Sequence, residues 1–344
     1  MYDYLIVTHI PAFYKVNLYN ELSKSLKIEV IFIAGNTVHK RADDFIALEK
    51  ANFKYTVLNE NNFEARKKHL SILKLRKLLK RCNYKKIILS GWDLLEFWFL
   101  LILNPKKKIC LALESSVLES NTSGIKGKMK KIFLSRVSKV FASGKLHVEL
   151  LDELNYKGEV SITRGVGIIN KPKIKLIDKK YKKSYLYVGR LSSEKNLKLL
   201  IEVFNKLPEF LLSFAGVGPD ESILKKMSRP NIRFLGQIEN NKLDVLYQNH
   251  NFLILPSLSE PWGLVVEEAL YFNTPVIVSK NCGARELISN GVNGFVVDPS
   301  KTETFKKTIL SVSDQSYAEL LKGTGEEFLQ CKDQFQVHAY FDRA

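Results

Sequence analysis

Six short apolar runs in the first half of the chain and six in the second alternate with segments of helical period. That arrangement limits the fold more than any other feature of the sequence. The runs are Tyr4–Val7, Glu29–Ile33, Lys86–Leu89, Lys108–Leu113, Lys139–Ala142 and Glu159–Ile162, then Ser184–Val188, Phe210–Phe214, Ile232–Leu235, Phe252–Leu255, Pro275–Val278 and Gly294–Val297. Lys15–Lys24, Glu194–Lys206, Glu239–Asn249 and Glu267–Tyr271 carry helical spacing between them. Continuous apolar strands are buried on both faces, so each set predicts a parallel sheet covered by helices. At 344 residues the chain has room for two such cores. The fold class is therefore α/β, with two Rossmann-like parallel-sheet domains. A polar, proline-containing stretch without period marks the boundary, which divides the chain into 1–169, a linker 170–183, and 184–330.

Several function classes are disfavoured at this level. No apolar run reaches the roughly 18 residues that span a bilayer; Leu94–Leu103 is interrupted by Glu96 and stops at Asn104-Pro105, so a buried helix is expected there. Tyr4-Leu-Ile-Val-Thr reads as a strand rather than a leader segment, and Cys82, Cys110, Cys282 and Cys331 lack metal or redox spacing. A cytoplasmic protein is the expectation. The net charge of +17 is uneven, with 29 Lys and Arg against 16 Asp and Glu through residue 170, and 24 against 20 after it. In Arg66–Arg81 the residues Leu70, Leu73, Leu75, Leu78 and Leu79 interleave with cations, and a second basic cluster runs from Lys126 to Lys131. Such segments suit an anionic membrane surface, peripherally on the inner face; they suit equally a core-packing helix whose solvated side is lysine-rich.

The loops after two of the second set of strands concentrate the chemistry. In Ser257-Leu-Ser-Glu260-Pro-Trp-Gly263-Leu264-Val-Val-Glu-Glu268 two carboxylates stand eight positions apart around a glycine that reads as a helix start. Amides of a first helical turn and the positive end of the helix dipole attract an anion, and carboxylates on either side can hold hydroxyl groups. A sugar, a diphosphate and a ribose would suit that arrangement; Glu260 could also serve simply to stabilise the helix start. Arg190 follows a strand and Gly189, and Lys195 follows five positions later; two such cations can neutralise a diphosphate as its charge grows. Taken alone, that pair is also compatible with a solvated surface turn.

Glu260-x7-Glu268 in its setting S-x-x-E-P-W-G-L-x-x-x-E-A, with Thr274-Pro-Val-Ile after it, resembles the EX7E signature of retaining glycosyltransferase family 4, of the bacterial cell-surface polysaccharide type. Val188-Gly-Arg190-Leu-Ser-Ser-Glu194-Lys195-Asn196, Phe214-Ala-Gly216-Val-Gly218-Pro, Asn231-Ile-Arg-Phe-Leu-Gly236-Gln and Gly283-Ala-Arg-Glu286-Leu-Ile follow the family's order, densely from about residue 184 to residue 300. The resemblance implies a GT-B architecture, two Rossmann-like domains facing a central cleft, with the C-terminal segment 331–344 crossing back to the first domain and Phe335–Phe341 as the candidate. It implies that Arg190 and Lys195 hold the diphosphate, that Glu268 holds the ribose and Glu260 the sugar, and that Gly189, Gly263 and Leu264 approach the donor through backbone. Gln237 and Ile238 would meet the base.

The first half departs from the family's usual glycine-rich loop, carrying Thr8-His9-Ile-Pro11-Ala-Phe-Tyr14-Lys15 instead. His9, Trp92 and Glu114 follow strands and are the candidates for acceptor contacts; as an isolated histidine, His9 reads more readily as a core residue. No D-x-D or other metal spacing is present, so no metal and no cofactor are expected beyond a nucleotide-diphosphate sugar of the UDP or GDP type as donor substrate. The resulting expectation is a retaining, metal-independent transfer of a sugar to a glycan or lipid-linked acceptor, in lipopolysaccharide, O-antigen or capsule assembly. A GT-B nucleotide-sugar epimerase is the alternative. A nucleic-acid-binding role, suggested by charge alone, lacks any reading motif, so no nucleic-acid partner is expected.

Overall fold

The computed structural model describes residues 1–38, 43–173 and 179–341. Of the expected linker, residues 174–178 lie outside that description. The chain divides into two compact units, one of Met1–Asn170 with Gln334–Ala344, the other of Lys171–Asp333.

In the first unit the strands are β1 (Tyr2–Thr8), β2 (Ile28–Phe32), β3 (Lys54–Val57), β4 (Tyr84–Leu89), β5 (Ile109–Leu113), β6 (Lys139–Ala142) and β7 (Glu159–Ile162). They form one sheet in the order β3-β2-β1-β4-β5-β6-β7, parallel at every pairing. The second unit contains β8 (Ser184–Val188), β9 (Leu211–Ala215), β10 (Ile232–Gly236), β11 (Phe252–Leu255), β12 (Val276–Ser279) and β13 (Gly294–Val297), ordered β10-β9-β8-β11-β12-β13. Both orders reverse direction beside their first strand, which is the doubly wound Rossmann-like pattern. The twelve apolar runs all become strands. The thirteenth, β3, lies at a sheet edge with Lys54 and Tyr55 turned to solvent, so it has no apolar run to betray it.

Alternation along β1 divides the core of the first unit. Leu5 and Val7 join Leu75, Phe97, Leu100, Phe133 and Leu134 on one face of the sheet; Tyr4 and Ile6 join Val16, Leu22 and Phe141 on the other. Tyr340, near the end of the chain, belongs to this second cluster: its ring stacks on Phe141 with centroids 4.4 Å apart, and Tyr4 Oη donates to its carbonyl at 2.8 Å. The helix before it spans Glu326–His338, so the expected segment Phe335–Phe341 is only partly helical and lies with the first unit. The Leu95–Leu103 helix has nine residues, buries Phe97, Leu100 and Leu101, and encloses Glu96 in a 2.8 Å ion pair with Arg66. Among the described residues no helix is long and apolar enough to cross a membrane.

Candidate functional site

The order of the second sheet reverses between β8 and β11, where loops that follow two neighbouring strands leave on opposite faces and open a space for ligand. Glycines let the backbone of these loops close up. Gly216, after β9, has φ +139°, and a Cβ there would fall 1.9 Å from the carbonyl oxygen of Gly189. Tyr187 Oη, fully buried, donates to the carbonyl of Arg190 at 2.8 Å and so fixes the turn that leaves the exposed Arg190 side chain at the end of β8.

The expected helix Glu194–Lys206 is broken at its start. A 3₁₀ turn covers Ser193–Lys195, Asn196 takes the left-handed conformation with φ +57°, and the α-helix begins at Leu197. Asn196 Nδ2 donates to the carbonyls of Pro256 and Pro299, and the Leu258 amide donates to the Glu194 carbonyl at 2.9 Å. These bonds lace the loop after β8 to the loop after β11. Their result is that Lys195 Nζ donates to Glu260 Oε2 at 2.7 Å, with each side chain 16% exposed.

Glu260 is held from its other side too: its amide donates to Asn281 and its carbonyl accepts from Gly283. Gly263, φ +99°, is the N-cap of the helix Leu264–Tyr271, and a Cβ on it would meet Cys282 Sγ at 2.9 Å and Glu260 Cγ at 3.3 Å. Glu260 therefore does not cap the helix by a side-chain bond; it faces Lys195. Along that helix the two adjacent acids part. Glu267 is fully buried, accepting from Trp262 Nε1 at 2.6 Å and from Lys332 Nζ at 2.7 Å. Burial pushes its carboxyl up, with Lys332 opposing. Glu268 stays half-buried and accepts from the hydroxyl of the buried Tyr247 at 2.8 Å. Burial, and then the charge of Glu268, drives the Tyr247 hydroxyl well above its ordinary range, so it acts as a donor. Gln237 is exposed and Ile238 half-buried just after β10, where the Gly236 carbonyl accepts from the Gly216 amide at 2.7 Å.

The first unit repeats the pattern at the ends of β1, β4 and β5. His9 Nε2 lies 3.0 Å from Asp93 Oδ2, and Lys15 Nζ donates to Glu114 Oε1 at 2.8 Å and to Thr8 Oγ1 at 3.2 Å. Burial alone would raise the Asp93 carboxyl, but the His9 contact outweighs it and holds that group low. Likewise burial would lower the Lys15 ammonium, and Glu114, with Tyr14 and Tyr19, reverses the direction. A cavity of about 330 Å³ opens here, lined among others by His9, Tyr14, Lys15, Phe63, Glu64 and Glu114. Carboxylates and a cation beside aromatic rings give a wall that can bond hydroxyls while packing the apolar face of a sugar. Trp92 lies outside this lining; Lys130 Nζ sits 5.3 Å from its ring centroid. Asp93, Lys15, Glu64 and Tyr247 take their places from partners distant in sequence, which no local pattern registers; the bond of Tyr187 to the Arg190 carbonyl is local and depends on the turn after β8.

Residues 169–327 match the family model described as "Glycosyl transferases group 1". Together with the fold, the match supports a glycosyltransferase family. An uncharacterized glycosyltransferase of Haemophilus influenzae is 25% identical to this chain, over 94% of the chain and 89% of that protein. The sulfoquinovosyl transferase of Arabidopsis thaliana is 35% identical over 34% of this chain, which spans only 24% of that longer protein. Among solved structures, HepE of Anabaena in complex with UDP and glucose superposes with a TM-score of 0.72 at 15% identity, over 98% of each chain. Two Rossmann-like parallel sheets of seven and six strands are thus the architecture of this chain and of its GT-B structural neighbours.

Proposed function

We propose that this glycosyltransferase-family chain moves a sugar from a nucleotide-diphosphate donor, of the UDP or GDP type, to a hydroxyl of a glycan or glycolipid, with retention at the anomeric carbon. The observation that carries the proposal is the Lys195–Glu260 pair at the start of the Gly263-capped helix. Arg190 and Lys195 take the diphosphate, whose charge grows as the bond from the anomeric carbon to the phosphate oxygen breaks. Gly189, Gly263 and Leu264 meet it through backbone amides, Glu268 takes the ribose hydroxyls, and Gln237 and Ile238 border the base. Glu260, already bonded to Lys195, orients a sugar hydroxyl. The acceptor oxygen bonds to the same carbon, and its proton passes to the departing phosphate oxygen. Two cations placed for the leaving group support a reaction without a metal. His9 and Glu114 line the acceptor pocket, with Trp92 further out. The resemblance to cell-surface polysaccharide transferases supports an acceptor of the lipopolysaccharide, O-antigen or capsule kind, and four free cysteines support a cytoplasmic location.

Nuclear magnetic resonance of the product tests the stereochemical part: an α-linked donor should give an α-linked product. A β-linked product would refute retention. The His9–Asp93 contact keeps a second reading in view, because a donor-only epimerase of the same fold needs acid and base groups. Turnover of a nucleotide sugar to its epimer without any acceptor would establish that reading.

A further inference from the structure

One surface of the first unit contains none of the residues assigned above to the donor, the diphosphate or the acceptor. The helices Lys68–Leu79, Leu95–Leu103 and Gly124–Ser135 all pack on the same side of the sheet, through Leu75, Phe97, Leu100, Phe133 and Leu134. They adjoin one another: Trp98 meets Phe133 edge-on at 5.1 Å, and Arg136 Nη2 donates to the Asn104 carbonyl at 3.2 Å. Residues 66–81 and 124–136 together contain thirteen Lys and Arg and no Asp or Glu. Glu96, the acid nearest to them on the middle helix, is enclosed by Arg66 and offers no surface charge.

A lysine-rich helix that merely packs on a core turns its large apolar residues inward. The Gly124–Ser135 helix does so only with Phe133 and Leu134: Ile125, Met129 and Ile132 are 79%, 48% and 59% exposed, at the i, i+4, i+7 spacing of a single stripe. Leu73 and Ile102 are exposed on the two neighbouring helices. Soluble surfaces mix both charge signs and avoid such stripes, and a nucleic acid would match the cations but not the apolar ridge.

We propose that this face docks on an anionic lipid bilayer. Ile125, Met129 and Ile132 enter the boundary between headgroups and acyl chains, while Lys126, Lys128 and Lys131, with Lys68 and Lys77 of the Lys68–Leu79 helix, meet lipid phosphates. The inference goes beyond the transfer reaction and does not depend on it.

The test is sedimentation of the full chain with phosphatidylcholine vesicles and with vesicles that also contain phosphatidylglycerol, at low and high salt. Binding to the anionic vesicles alone, weakened by salt, is expected. The triple variant Ile125→Glu, Met129→Glu, Ile132→Glu and the double variant Lys128→Glu, Lys131→Glu should each bind at least tenfold less, with unchanged thermal unfolding because the substituted side chains are exposed. No binding to anionic vesicles would overturn the proposal. So would wild-type binding by the triple variant, equal affinity for an RNA oligonucleotide, or a wild-type dimer that the triple variant splits without any vesicle affinity. Absence of nucleotide binding in the same preparations would count against the transfer reading and leave the vesicle result standing.

Discussion

Replacing Lys332 by Met should remove about 3 kcal/mol of stability from the second unit at about pH 7. Lys332 Nζ lies 2.7 Å from Glu267 Oε2 and 3.1 Å from Asp333 Oδ1, and the side chains of Lys332 and Glu267 are 3% and 0% exposed. Breaking a buried pair by removing one partner costs about 3–5 kcal/mol, because the other charge is left without compensation. Two features place the loss near the lower end. Glu267 keeps its bond from Trp262, and Asp333 keeps Lys171. Methionine also fills most of the space of the lysine stem, so little cavity forms. Burial already raises the Glu267 carboxyl above its ordinary 4.5, with Lys332 opposing. Without the lysine it rises further. A carboxyl that holds its proton more tightly when folded stabilises the fold at low pH and loses that contribution as pH rises above the unfolded value. The difference between wild type and variant should therefore be largest at about pH 7 and shrink toward pH 4.5. Adding Glu267→Gln should recover much of the loss. Urea unfolding at both pH values, followed by tryptophan fluorescence, measures it. A loss below about 1 kcal/mol, or one independent of pH, would refute the reasoning.

Tyr247→Phe removes the donor that holds Glu268 and leaves the ring packed. Affinity for a nucleoside diphosphate should fall about tenfold, one charge-assisted bond's worth, while a 2′,3′-dideoxy analogue should bind wild type and variant alike; calorimetry with both ligands separates this from a general loss of structure. Burial pushes the imidazole of His147 down to about 4. The unfolded chain therefore binds a proton that the folded one refuses, and stability should fall by up to about 3 kcal/mol as pH drops from 6.5 toward 4. His147→Gln should flatten that part of the pH–stability curve; an unchanged slope would show that His147 is not the titrating group.

Both sheets are legible in the sequence because their interior strands, such as β1, β8, β11 and β12, are buried and leave apolar runs; the edge strands β7 and β10 carry weaker, interrupted runs. β3 escapes because it is a four-residue edge strand, Lys54–Val57, whose first two residues are exposed and whose other two are only half-buried, so little apolar signal remains. The helix expected from Glu194 is interrupted because Asn196 adopts a left-handed conformation, which helical spacing cannot register. Gly263 was readable as a helix start because a positive φ at an N-cap leaves a glycine in the sequence. The division of labour between Glu267 and Glu268 was not: their neighbours in sequence are the same, and only Lys332, from a helix 65 positions on, and Tyr247, from another, tell them apart. The His9–Asp93 and Lys15–Glu114 contacts are hidden for the same reason, since each joins segments that follow different strands.

The central claim is that the second unit holds a nucleotide diphosphate between Arg190, Lys195 and Glu268. Thermal unfolding of the purified chain with UDP and with GDP, without added metal, tests it most directly, because a ligand bound only to the folded state raises the midpoint in proportion to RT ln(1 + [L]/Kd). A rise with one of the two nucleotides, abolished by Lys195→Ala and by Glu268→Ala, is the expected result. No rise with either nucleotide, or a rise that both variants keep, would contradict the assignment of this site.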